Sequence, residues 1–152
     1  MSFDLPRPAL IAHLGVGTSG DYDTAAKAFA DSASWTVLKI GLGTFVVPQG
    51  TLPAGKCIEG LDKDRSILQF SHNVLDEPCL SVGNQSTLRN FFLRAGGTPG
   101  ALNRVHLIDF GAAIAGQYVV LDNMRVDNGG GVQPYRIDAP VRASNCWFDI
   151  YT

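Results

Sequence analysis

Three seven-residue segments of this chain align without gaps, and each carries an asparagine at its third position. They are Leu88-Arg89-Asn90-Phe91-Phe92-Leu93-Arg94, Leu121-Asp122-Asn123-Met124-Arg125-Val126-Asp127 and Ala143-Ser144-Asn145-Cys146-Trp147-Phe148-Asp149. Each reads apolar, polar, Asn, apolar, variable, apolar, charged. The asparagines are separated by 33 residues (123 − 90) and then 22 (145 − 123), and Gly60 in Ile58-Glu59-Gly60-Leu61 lies 30 residues (90 − 60) before Asn90. Such spacings suit one irregular turn of a solenoid, in which each repeat can bury its apolar face only by stacking on the next. A strand that bends sharply at one residue needs the left-handed conformation, which Asn and Gly adopt at least cost. The expectation is therefore a ladder built from Gly60, Asn90, Asn123 and Asn145. Inward columns follow as Leu88/Leu121/Ala143, Phe91/Met124/Cys146 and Leu93/Val126/Phe148, repeating at about 4.8 Å. Outward columns are Arg89/Asp122/Ser144, Phe92/Arg125/Trp147 and Arg94/Asp127/Asp149. A second echo, Leu107-Ile108-Asp109-Phe110 against Arg136-Ile137-Asp138-Ala139, suggests a further strand of the same turns.

The punctuation agrees with many short strands. There are 17 Gly and 8 Pro, spread through the sequence and not gathered into a linker. Only one helix is predicted, over 21–34, where Asp21-Tyr22-Asp23-Thr24 supplies capping residues ahead of an Ala-rich run. Trp35 to Val47 reads as a β-rich stretch stopped by Pro48. With 152 residues, 45% of them hydrophobic, the chain suits one domain with a real core. The expected division is an N-terminal arm over 1–20 and a single β domain over 21–152.

Charge excludes more than it suggests. Twelve Lys and Arg against 14 Asp and Glu give a net of −2, which offers no broad positive field for a phosphate backbone, so nucleic acid is not an expected partner. No apolar run approaches the roughly 18 residues of a membrane helix, and the N-terminus lacks the pattern of a secretory signal, so no membrane partner is expected either. Cys57, Cys79 and Cys146 fall in no metal or redox spacing and read as three buried thiols. His13, His72 and His106 lie in separate segments, so no metal site is expected.

Gly15-Val16-Gly17-Thr18-Ser19-Gly20, Asp23-Thr24-Ala25-Ala26, Ile40-Gly41-Leu42-Gly43-Thr44-Phe45-Val46-Val47, Leu52-Pro53-Ala54-Gly55 and Ile58-Glu59-Gly60-Leu61 follow one another in this order. That succession resembles the pectate-lyase-like right-handed parallel β-helices, and especially the N-terminal part of phage tailspikes and tail appendages. The family's "P-x-G-x-Y" wording before the strand is replaced here by Gly41-Leu42-Gly43-Thr44-Phe45. The resemblance implies an all-β fold: a short, single-stranded, right-handed parallel β-helix of about four coils with an N-terminal capping helix. It also implies a virion protein, assembled in the host cytoplasm, that serves as a tail or head appendage with host-glycan receptor binding. Such β-helices include lyases, glycosidases, binding spikes and inert spacers, so the fold alone does not choose among them.

The residues offer these candidates. Gly15 to Gly20 also fits G-x-G-x-x-G, but Asp21 and Asp23 would meet the pyrophosphate and no acidic residue follows the next strand, so a lead into the helix is favoured and no cofactor is expected. Phe92, Arg125, Tyr135 and Trp147 are candidates for glycan contact or for an interface, since aromatic faces stack on pyranose rings and both roles favour aromatics and Arg. Glycan hydrolysis would need paired carboxylates, for which Asp122, Asp127 and Asp149 are the alternative catalytic set. The sequence given stops soon after an apolar strand, which predicts a cover over the last coil by a homotrimer or another virion protein. A structural or receptor-binding role is favoured over a polysaccharide hydrolase or lyase.

Overall fold

A computed structural model describes residues 10–15, 20–71, 78–95, 106–110, 115–127, 133–137 and 141–149. It opens with β1 (Ile11–Leu14), helix α1 (Ala25–Ala30) and a single 3-10 turn (Ser32–Ser34). Next come β2 (Val37–Ile40), β3 (Gly43–Val47), β4 (Gly50–Leu52), β5 (Cys57–Gly60), β6 (Ser66–Phe70) and β7 (Pro78–Val82). The remainder is β8 (Thr87–Arg89), β9 (Phe92–Ala95), β10 (His106–Phe110), β11 (Val119–Asp122), β12 (Arg125–Asp127), β13 (Gln133–Ile137), β14 (Val141–Ser144) and β15 (Trp147–Asp149). The protein is thus mostly β, with one α-helix among the described residues.

All strand pairs are parallel and fall into three sheets. One has six strands in the order β1-β2-β5-β8-β11-β14, one has five in the order β15-β12-β9-β6-β3, and one has four in the order β13-β10-β7-β4. From β2 onward each strand pairs with the third strand after it, so the chain visits the three sheets in turn and returns to the first.

Period-two alternation then sorts side chains between a shared interior and the outside. Leu38, Ile58, Leu88 and Leu121 lie side by side in register and are buried. Phe45, Leu68, Leu93 and Val126 do the same on the five-stranded sheet. Phe91 and Met124 fill the corner between these columns. Each such side chain contributes about 1.5–3 kcal/mol by leaving water. In the last turn, Ala143 continues the register but is exposed, while Cys146 and Phe148 are half-buried against the core.

The corner after the six-stranded sheet follows from the asparagines. Asn90, Asn123 and Asn145 have φ of 58°, 49° and 53°, and Asn123 Nδ2 donates to Asn90 Oδ1 at 3.0 Å. Gly60 corrects the expected ladder, because its φ is not left-handed. Space is what it supplies there: a Cβ would lie 2.3 Å from the Asn90 carbonyl oxygen and 2.7 Å from Phe91 Cβ. The polar work at that corner is done by Ser66, which is fully buried. Its Oγ accepts from the Leu61 amide at 3.0 Å and donates to the Ile40 carbonyl at 3.3 Å.

Several expectations change in detail. The stretch from Trp35 to Val47 is two strands, because Gly43 takes φ of 127° and Gly41 sits where a Cβ would be 3.1 Å from the Leu14 carbonyl oxygen. Residues 11–14, expected in an arm, form β1 and pair with β2. The α-helix is shorter than 21–34 and is capped by Thr24, whose Oγ1 accepts from the Lys27 amide at 3.3 Å. It rests on β3 and β4, with the Phe29 ring 3.2 Å from the position a Gly50 Cβ would take. In the second echo, Asp109 pairs with Arg136 and not with Asp138, because backbone register overrides the short likeness. Of the three thiols only Cys79 is buried, since Cys57 and Cys146 sit at a sheet surface and a corner. Gly20 closes onto β1, where a Cβ would lie 2.6 Å from the Gly15 nitrogen; residues 16–19 of the glycine motif lie outside the described residues.

Candidate functional site

The outer face of the five-stranded sheet gathers most of the candidate residues. Its strands are parallel and in register, so outward positions on neighbouring strands form two columns. The first runs Thr44, Ile67, Phe92, Arg125, Trp147 and the second Val46, Gln69, Arg94, Asp127, with the Asp149 backbone next in register.

Phe92 is corrected as an open platform. Although it points outward, it is only 6% exposed, because the Arg125 guanidinium lies 4.5 Å from its ring centroid and that of Arg94 lies 5.7 Å away. A flat cation over an aromatic face is attracted by the ring quadrupole and shields it from water. Arg94 is fixed further by donating from Nε to Gln69 Oε1 at 2.7 Å. Arg125 Nη1 reaches Asp64 Oδ1 at 3.5 Å from the turn between β5 and β6. That turn is built by Asp62, whose Oδ1 accepts from the Asp64 amide at 2.8 Å and the Arg65 amide at 3.1 Å. These backbone donors, with Arg65 beside them, hold the Asp62 carboxyl below its ordinary value.

Trp147 is the aromatic that does stand open. It continues the Phe92–Arg125 column and is 63% exposed. Beside it, Asp127 pairs in register with Arg94 on one side and Asp149 on the other. An indole face, a guanidinium and a carboxylate thus share one surface. The first can stack on C–H groups, while the others bond to hydroxyls.

The remaining candidates lie elsewhere. Asp122 ends β11 on the six-stranded sheet, across the Asn123 corner from Asp127, and accepts from Ser144 Oγ at 3.3 Å. The three carboxylates are therefore not one cluster. Tyr135 is on β13 of the four-stranded sheet, opposite Ile108, and its side chain lies outside the described residues, as does that of Asp149. His72 is also outside the described residues, and His106 is placed there only by its backbone.

Asp64 and Gln69 were not legible from the sequence as parts of this face. Asp64 meets an arginine 61 residues away, which no local spacing signals. Gln69 could have been found by carrying the outward column one strand back from Arg94. Among the described residues no group of three or more His, Cys, Asp or Glu could hold a metal ion, and no helix is long and apolar enough to cross a membrane. Compared with known proteins, the chain matches no family model, no curated protein and no solved structure.

Proposed function

We propose that this chain is a right-handed parallel β-helix acting as a structural, glycan-contacting module of a phage tail or head appendage. The helix reading is supported by the pairing of each strand with the third one after it. Right-handedness is favoured by the strong preference of parallel crossovers for that hand. The appendage reading rests on the resemblance of residues 15–72 to tailspike N-terminal parts.

Trp147 carries the glycan reading. An exposed indole in line with Arg125 and next to Asp127 offers the combination that binds a pyranose: an apolar face for one side of the ring and charged groups for its hydroxyls. The test uses the chain's two tryptophans, of which Trp35 is buried and Trp147 exposed. Bacterial surface polysaccharides should shift the emission of the full chain, and Trp147→Phe should remove the shift. Retention of the polysaccharide with no dependence on Trp147 would refute the site.

A depolymerase is the second reading, favoured by the direct opposition of Asp127 and Asp149 on β12 and β15. Backbone positions in register on adjacent strands lie about 4.8 Å apart, close to the roughly 5–5.5 Å between the two carboxyl groups of a retaining glycosidase. Release of reducing ends, abolished by Asp127→Asn, would establish it; binding without release would leave the structural reading.

A further inference from the structure

The outer face of the six-stranded sheet carries a charge sequence that is its own complement when reversed. Along the stack, in strand order, the outward residues in register are His13, Lys39, Glu59, Arg89, Asp122 and Ser144. Within the chain, neighbours in the column interact, as Arg89 Nε does with Glu59 Oε2 at 3.2 Å. Turned end for end, the same column sets Lys39 against Asp122 and Glu59 against Arg89, and each pairing occurs twice. The column beside it runs Ile11, Val37, Cys57, Thr87, Val120 and Arg142, and its four middle rungs are the less polar ones.

We propose that two copies of this chain associate face to face through the six-stranded sheet with their stacks antiparallel. The two-fold axis runs along the strand direction, between β5 and β8. Rotation about it keeps position along the strands and reverses position along the stack. Charged column therefore meets charged column, and Val37 meets Val120 of the second copy. The alternative two-fold axis, along the stack, would oppose like rungs or lay charges on the apolar column. A three-fold axis along the stack joins unlike faces and so cannot use a pattern that complements itself.

Size sets the strength. Six strands span about 24 Å and the outward residues about 10 Å along them, giving a few hundred Å² per copy. That is well under the roughly 800 Å² per partner of a standard interface, so the pair is weak and sensitive to ionic strength. Because it uses a different sheet, it leaves Trp147 uncovered and does not depend on the glycan reading.

Sedimentation of the full chain over a hundredfold range of concentration tests this. The expected result is a monomer that becomes a two-copy particle at high concentration in low salt and dissociates as salt is added. Lys39→Glu and Asp122→Lys should each stay monomeric, since each opposes like charges twice. Mixed in equal amounts they should recover the two-copy mass, because Glu at 39 then faces Lys at 122 while Asp122 faces Lys39. Should either variant fail to fold, thiol modification of the wild type decides, with Cys57 expected to react several-fold more slowly in the associated state. A monomer at every concentration, a three-copy particle, no recovery on mixing of folded variants, or a Cys57 rate independent of association would each overturn the proposal.

Discussion

Replacing Gly60 by alanine tests the claim that this glycine is required for space and not for conformation. The added methyl would lie 2.3 Å from the Asn90 carbonyl oxygen, 2.7 Å from Phe91 Cβ and 2.9 Å from Ser66 Cβ. None of the three can yield as a flexible side-chain end could. The carbonyl belongs to the next turn's corner, Phe91 is fully buried, and Ser66 is held by its bonds to Leu61 and Ile40. Relief requires β5 and the β8–β9 corner to separate by about 1 Å, which adds overpacking of about 1–3 kcal/mol to the weakening of one or two hydrogen bonds at about 1 kcal/mol each. A loss of about 2–5 kcal/mol follows, and with a urea slope of about 2 kcal/mol/M the midpoint falls by about 1–2.5 M. Gly55→Ala is the paired control, since Gly55 has φ of 77° but nothing within 4 Å of its Cβ position. Only conformational strain of about 1–2 kcal/mol applies there. If Gly60→Ala cost no more than Gly55→Ala in the same titration, the close-approach argument would be wrong.

Asn123→Leu should destabilise the chain by about 1–3 kcal/mol in the same assay, through the left-handed backbone and the lost bond to Asn90, whereas Asn123→Gly should lose only the bond. Tyr22 donates its hydroxyl proton to Asp31, and this bond raises the phenol to about 12 from its ordinary 10.0. The folded state therefore prefers the protonated phenol, so its contribution is intact below pH 10 and fades as pH rises towards 12; thermal melts should show that alkaline loss shrink in Tyr22→Phe. Burial pushes the Cys57 thiol up, so at pH 8 it should react more slowly than a free thiol, and the fully buried Cys79 should react only after unfolding. Trp35→Phe should cost about 1–3 kcal/mol in urea, because it leaves the buried Ala28 carbonyl without the indole donor at 2.9 Å.

What the sequence made legible was what repeats. Asn90, Asn123 and Asn145 carry a side-chain type that reports backbone conformation directly, and from them the registers of β8, β9, β11, β12, β14 and β15 follow. The third sheet was legible only as the echo of β10 in β13, two residues out of register, because its corners take Gly55, Gln85 and Gly116 and carry no single residue type that marks them. Gly60 was placed at the right rung for the wrong reason, since a residue without a side chain looks the same whether it supplies freedom or room. Outward direction was predictable for Phe92 and Trp147 alike from alternation. Their opposite exposures were not, because Phe92 is covered by Arg125 and Arg94 lying over its ring, a contact that alternation does not report. The pairing of Arg125 with Asp64 depended on a turn folding back beside a strand far along the chain.

The three-sheet circuit also governs the order of folding. Its strand registers join residues 20 to 33 positions apart, so each described sheet contact closes a loop of that size before it returns any energy. Among the described strands every pair is parallel, so none of them closes as a hairpin does. The region around α1 assembles locally, with Trp35 bonded to Ala28 and Thr24 to Lys27. It is thus the natural nucleus, and each later circuit condenses on the edge left by the one before, which makes folding slow for the chain's size and directional from the helix outward.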